Sequence, residues 1–156
     1  MKKTINFKFN GEKTTMEVAP NDVLLDALRM NMGSKSPKCG CDRGDCGTCT
    51  VLLNGRAVRS CLVLAVEVEG CEVLTLEGVS KGRIAALQRS FVKNNSFQCG
   101  FCAPGMVMSL TELLNHKPKP TVDEVKEAIS GNLCRCTGYT QIVEGVMDAS
   151  SAPKKH

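Results

Sequence analysis

The sequence predicts an α+β chain in two parts, strand-rich at the N-terminal end and helical at the C-terminal end, meeting near residue 78. Three observations carry this. Asn10-Gly11 and Asn54-Gly55 each sit between short apolar runs, the signal of a two-residue β-hairpin turn. A cysteine loop with Gly40, Gly44 and Gly47 separates the two hairpins. Past Gly78 the apolar spacing becomes helical.

In chain order, Thr4 to Phe9 alternates through Ile5, Phe7 and Phe9, and Thr14 to Val18 through Met16 and Val18, so these runs form the first hairpin. Asn21 or Asp22 is placed to cap a helix carrying Leu24, Leu25 and Leu28, with Gly33 shortly after its end. Thr50 to Leu53 and Ala57 to Arg59 form the second hairpin, which returns Cys61 to the side of Cys49. A further strand is expected at Glu72 to Leu76, after the Glu69-Gly70 turn.

Helices are expected at Ile84 to Asn94, Pro104 to Asn115, Val122 to Ser130 and Gln141 to Ala149. Pro104 suits a first helical turn, Thr121 with Glu124 reads as a capping box, and Gly131 is a plausible stop. Lys117-Pro118-Lys119-Pro120 is a stiff connector between two antiparallel helices rather than a domain linker. The domains are therefore 1–78 and 79–156, and Ser150 to His156 are expected to be disordered.

The chain has 156 residues, enough for one domain or two small ones, with five Phe, one Tyr and no Trp. Small aliphatic residues must do most of the packing, which leaves a share of the stabilisation to bound metal. Ten cysteines would suit a secreted disulfide scaffold. Met1 to Lys13, however, has no apolar run, cleavage site or twin arginine, and no segment approaches a membrane span, so a cytoplasmic, reduced protein is expected. There, clustered cysteines are more often metal ligands than disulfides. The formal charge of +4 is offset if two clusters of about −2 each are held, and no basic run is interleaved with aromatics, so neither nucleic acid nor membrane insertion is implied.

Cys41, Cys46 and Cys49 make a C-x4-C-x2-C run, the spacing of a plant-type [2Fe-2S] site, with Cys61 available as fourth ligand. A register in which Cys39 replaces Cys41 is physically conceivable but breaks that spacing. Strand pair, helix, cluster loop and more strands fit a small domain of the ferredoxin kind. The second set, Cys99-Gly-Phe-Cys102 and Cys134-Arg-Cys136, makes another four-thiolate site from two loop ends. Its C-x2-C half also suits a structural zinc, whereas its C-x-C half is narrower than most zinc motifs.

Gln98-Cys-Gly-Phe-Cys-Ala-Pro-Gly105, followed by Gly131-Asn-Leu-Cys-Arg-Cys-Thr-Gly-Tyr139, resembles the second-cluster signature of the molybdenum hydroxylase family, the xanthine dehydrogenase and aldehyde oxidoreductase relatives. Cys46-Gly-Thr-Cys-Thr-Val-Leu52 with Ser60-Cys61-Leu62 resembles the first-cluster loop of the same family. The likeness runs from the opening hairpin to about Ala149. It implies a β-grasp ferredoxin-like domain followed by a four-helix-bundle domain, each with one [2Fe-2S] cluster. It also implies a heteromeric complex with a medium subunit holding FAD and a large subunit holding a molybdenum pterin (molybdopterin) cofactor.

By the same resemblance, Cys41, Cys46, Cys49 and Cys61 bind the cluster nearer FAD. Cys99, Cys102, Cys134 and Cys136 bind the one nearer molybdenum. Gln98 and Cys136 approach the pterin, although from position alone Gln98 reads more readily as a polar loop residue satisfying local backbone. Arg135 either offsets cluster charge or forms a surface ion pair. Thr48 stands where the family commonly has alanine.

Cys39 and Cys71 belong to neither set; Cys71 follows a turn and reads as a small, partly buried apolar residue. His116 and His156, the two histidines, lie outside the cysteine motifs and read as solvated. The chain has no acid-base pair or nucleophile arrangement of its own, so catalysis would belong to partners. The function expected is an electron-transfer subunit of a molybdenum-dependent oxidoreductase; the alternatives are a free-standing two-cluster ferredoxin and a zinc-stabilised interaction module.

Overall fold

The computed structural model of the protein describes residues 1–151, with residues 82 and 83 by backbone only. Five strands, β1 (Lys3–Phe9), β2 (Glu12–Val18), β3 (Thr50–Leu53), β4 (Arg56–Arg59) and β5 (Glu72–Leu74), form one sheet in the order β2-β1-β5-β3-β4. Both hairpins close as expected: Ile5 faces Met16 across the first and Thr50 faces Arg59 across the second. Asn10 and Gly11, and likewise Asn54 and Gly55, adopt positive φ, the backbone that a two-residue hairpin turn needs. Strand β5 runs antiparallel to β3 and parallel to β1, so it stitches the hairpins into a mixed sheet.

Helix α1 (Leu24–Met30) lays Leu24, Ala27 and Leu28 on a core of Ile5, Phe7, Met16, Val18, Val51 and Val73. Neither Asn21 nor Asp22 caps it. Val23 is the N-cap residue, and the N–H of Leu24 is satisfied by the Val63 carbonyl at 2.8 Å. A neighbouring chain segment thus replaces the expected side-chain cap, and the Asp22 carboxylate accepts from the Ala19 N–H instead. Short 3-10 turns at Ser60–Leu62 and Ala65–Val68 were not signalled by the sequence. Strand β5 also stops two residues early. Thr75 N–H turns to the Asn10 side chain at 2.9 Å, and α2 (Leu76–Val79) begins there.

The second half holds α3 (Gly82–Lys93), α4 (Ala103–His116), α5 (Val122–Ile129) and α6 (Thr140–Ser151). Leu87, Phe91, Met106, Leu110, Leu114, Val125, Ile142 and Val146 form their shared core. Full burial of each such side chain is worth about 1.5–3 kcal/mol relative to exposure. Pro104 occupies the first turn of α4, and the Thr121–Glu124 capping box is present in both directions at the start of α5. Helix α6 runs to Ser151, so Ser150 and Ser151 are helical rather than disordered. Asp148, one turn earlier, is tied to Asn94 at 3.1 Å and to Lys93, which pins this end to α3. The remainder of the expected tail lies outside the described residues.

The two halves meet where α4 lies against β3. Val51 faces the β core, and Leu52 is buried as well. Glu112 on α4 fastens the contact, accepting from Arg56 at 2.8 Å and from the Ala57 N–H at 3.1 Å. This docking brings the start of α4, and with it Cys102, beside the first cysteine loop. Among the described residues no helix is long and apolar enough to cross a membrane.

Candidate metal centres

The loop after α1 carries the first set. Asp42, Gly44 and Gly47 have positive φ, and this coiling turns backbone N–H groups toward sulfur. The Cys46 N–H donates to Cys41 Sγ at 3.3 Å. Backbone N–H groups of Arg43 and Cys46 hold the Cys41 thiol down to about 7. On the other side the second hairpin delivers Cys61 to Cys49, with their sulfurs 3.4 Å apart and both buried beside Leu25. Burial, and then the neighbouring Cys49, push the Cys61 thiol up to about 12.

The second set is built from the turn before α4 and the loop before α6. Cys99 and Cys136 are exposed, with sulfurs 3.7 Å apart. Cys102 is buried and shares a hydrogen bond with Cys134; burial first, then that neighbour, raise Cys102 to about 12. The Phe101 N–H lowers Cys99, while the hydrogen bond shared with Cys99 raises Cys136. The Thr137 hydroxyl donates to Cys134 Sγ at 3.1 Å. Tyr139 clamps the C-x-C loop: its hydroxyl accepts from the Cys134 N–H at 2.9 Å and donates to the Asn132 carbonyl at 3.2 Å. Gln98 is exposed and donates to the Cys136 carbonyl at 2.9 Å, so one end of its amide satisfies local backbone. Arg135 is exposed between the two cysteines.

Eight of the ten cysteines thus stand in four pairs, two pairs to a set. Two thiolates on one tetrahedral metal at about 2.3 Å lie about 3.8 Å apart, close to the 3.4 and 3.7 Å seen for Cys49–Cys61 and Cys99–Cys136. Two pairs per set suit two irons, each holding two thiolates, with N–H groups aimed at sulfur as such clusters require. Cys39 is exposed outside the pairs, and Cys71 packs half-buried against the β core.

Several residues outside the two cysteine sets make contacts that shape the site. Thr48 is buried; its hydroxyl donates to the Lys38 carbonyl at 3.0 Å and lies 3.2 Å from Cys46 Sγ. Between the two sets, the Leu133 N–H donates to the Cys46 carbonyl at 2.9 Å, and Asn132 Nδ2 donates to the Gly47 carbonyl at 3.0 Å. Arg59 bridges from Thr50 Oγ1 at 3.0 Å to the Gly131 carbonyl at 2.6 Å. Gly47 has room for nothing larger, since a Cβ there would meet the Gly131 carbonyl oxygen at 2.5 Å.

Residues 7–75 match the family model of the 2Fe-2S iron-sulfur cluster binding domain, and residues 75–147 that of the [2Fe-2S] binding domain. The chain is 48% identical over 145 residues to the nicotine 6-hydroxylase small subunit of Paenarthrobacter nicotinovorans, covering 93% of this chain and 88% of that one. It is 46% identical over 140 residues to the nicotinate dehydrogenase small FeS subunit of Eubacterium barkeri, covering 89% of each. Its backbone superposes on the solved quinoline 2-oxidoreductase of Pseudomonas putida 86 with a TM-score of 0.90 at 44% identity, covering 96% of this chain and 93% of that one. Paired thiols in two abutting loops, and likeness along nearly the whole chain, lead to one conclusion: this chain belongs to the two-cluster iron-sulfur small subunits of the molybdenum hydroxylase family.

Proposed function

We propose that the chain is the electron-transfer subunit of a molybdenum hydroxylase-type complex, passing electrons between a molybdopterin site and FAD held by partner subunits. The observation that carries this is the join of the two cysteine loops through the Cys46 carbonyl and the Leu133 N–H. Cys41, Cys46, Cys49 and Cys61 hold the first [2Fe-2S] cluster, and Cys99, Cys102, Cys134 and Cys136 the second. When bound, each cluster takes up or gives out one electron at a time. The chain's residues fix the two sets in one rigid arrangement, direct N–H groups at the sulfurs and keep water from Cys49, Cys61 and Cys102.

The N-terminal half is a β-grasp domain, residues 1–78, and the C-terminal half a four-helix bundle, residues 79–156. Two separate hydrophobic cores support this division. The large molybdopterin subunit docks on the exposed end of the second set, where Phe101 and Leu133 stay 46% and 55% exposed around Cys99 and Cys136. There the free end of the Gln98 amide, with Cys136 beside it, meets the pterin. The medium, FAD-binding subunit lies toward the first set. The complex is cytoplasmic, and the choice of substrate belongs to the large subunit.

A free-standing two-cluster ferredoxin is the weaker reading, because the similar chains are named as small subunits. Purification from the native host tests the choice: the chain should elute with larger flavin- and molybdopterin-containing chains, carrying about four irons and four acid-labile sulfides. Elution alone with full clusters would refute the subunit role. Stoichiometric zinc without labile sulfide would refute the clusters.

A further inference from the structure

Lys38 is anchored in one cysteine loop and reaches the other. Its backbone is locked to the first loop: its N–H donates to the Thr48 carbonyl at 3.2 Å, and its carbonyl accepts from the Thr48 hydroxyl at 3.0 Å. Its ammonium lies across the boundary, 3.4 Å from the Phe101 carbonyl and 5.3 Å from the centre of the Phe101 ring. Phe101 sits between Cys99 and Cys102 and directly precedes the buried ligand candidate Cys102.

We propose that Lys38, a residue of the first loop, is a positioning and potential-tuning residue for the second cluster, placing its positive charge against the Cys99–Cys102 turn. The proposal rests on the cluster assignment above and assigns a role to a residue outside both cysteine sets.

The physical reason is the sign of the charge change. Reduction adds one negative charge to a site that already holds four thiolates, and a fixed cation nearby favours the more negative form. Lys38 therefore raises the reduction potential of the second cluster relative to the same site without it. The Phe101 ring, 5.3 Å from the ammonium, attracts the cation and helps hold it at the turn. Burial and then the nearby Arg29 act to lower the Lys38 pKa, while the charges of Cys102 and Glu77 act to raise it.

The test is a potentiometric titration of the intact complex followed by EPR, with iron and sulfide counts confirming that both clusters are loaded. Two reducible [2Fe-2S] signals in the wild-type complex are the prior condition, and their absence would refute the cluster assignment itself before any variant is read. Lys38→Met and Lys38→Gln should both move the second-cluster midpoint to more negative potential, with a smaller change at the first, and Lys38→Arg should restore it. Gln keeps a donor for the Phe101 carbonyl without the charge, so an unshifted Gln variant would overturn the proposal in favour of packing alone. Equal shifts in the Met and Arg variants would overturn it too. If the Met variant fails to load its clusters, the Gln and Arg pair decides by the same criterion.

Discussion

The Cys46 carbonyl accepts a hydrogen bond from the Leu133 N–H at 2.9 Å, and Leu133 is bonded directly to Cys134. One hydrogen bond and a short run of covalent bonds therefore link a ligand candidate of each set. Its neighbour Asn132, 2% exposed, maintains this contact by donating to the Gly47 carbonyl and accepting from the Ser109 hydroxyl at 2.8 Å. Asn132→Ala strands the buried Ser109 hydroxyl, whereas the Gly47 carbonyl keeps the Thr50 hydroxyl and N–H, and the loss costs about 1–3 kcal/mol. Denaturant unfolding of the cluster-loaded protein should show that loss, and an unchanged midpoint would contradict it.

Gly105→Ala tests the same seam from the helix side. Alanine should favour α4 by about 1 kcal/mol on intrinsic propensity. Its Cβ, however, would overlap the Gly47 carbonyl oxygen, a backbone atom with no side chain to swing aside. Steric cost wins, so the melting temperature should fall; a rise would mean that the two halves separate freely.

The ligand register is decided by two serine variants. Cys39 is exposed outside the pairs, and Cys46 lies within the first set, its N–H 3.3 Å from Cys41 Sγ. Cys39→Ser should leave the first-cluster EPR signal intact, and Cys46→Ser should abolish it. Loss of that signal in the Cys39 variant would overturn the register and put Cys39 in place of Cys41.

Glu77 makes stability depend on acid. Its carboxylate accepts from the N–H groups of Lys35 and Ser36 at 3.0 Å each, and from the hydroxyls of Ser34 and Ser36. Burial pushes its pKa up, but these bonds, that of the Ser36 hydroxyl foremost, outweigh it and hold the carboxyl at about 2. A lowered folded-state pKa means that the stabilisation is complete above the ordinary value of 4.5 and fades as pH falls toward about 2. The gap in unfolding midpoint between wild type and Glu77→Gln should therefore narrow as pH falls from about 5 toward about 2. A gap independent of pH would show that the carboxylate charge is not what stabilises this junction.

The hairpins were legible because Asn-Gly at both turns admits positive φ and the flanking residues alternate. The Thr121 capping box and Pro104 were legible for the same kind of reason, since each acts within one turn of chain. Asp22 shows where local reading fails. It has the right chemistry for a cap, but the Val63 carbonyl, some forty residues away, reaches the helix first. Strand β5 fails likewise, ended by the side chain of Asn10 from the opposite end of the domain.

By itself the sequence determined the two cysteine sets, their order, and the division into a strand-rich and a helical half, since spacing along the chain is enough to bring Cys49 to Cys61 and to mark each loop. Tertiary structure alone decided that the sets abut through Cys46 and Leu133, that Thr48 touches a candidate ligand sulfur, and that Lys38 leans from one loop onto the other. These contacts join residues 63 or more positions apart, Thr48 excepted, and arise from α4 docking on β3. Local pattern encodes turns, caps and periodicity, whereas the meeting of distant surfaces depends on the whole packed core.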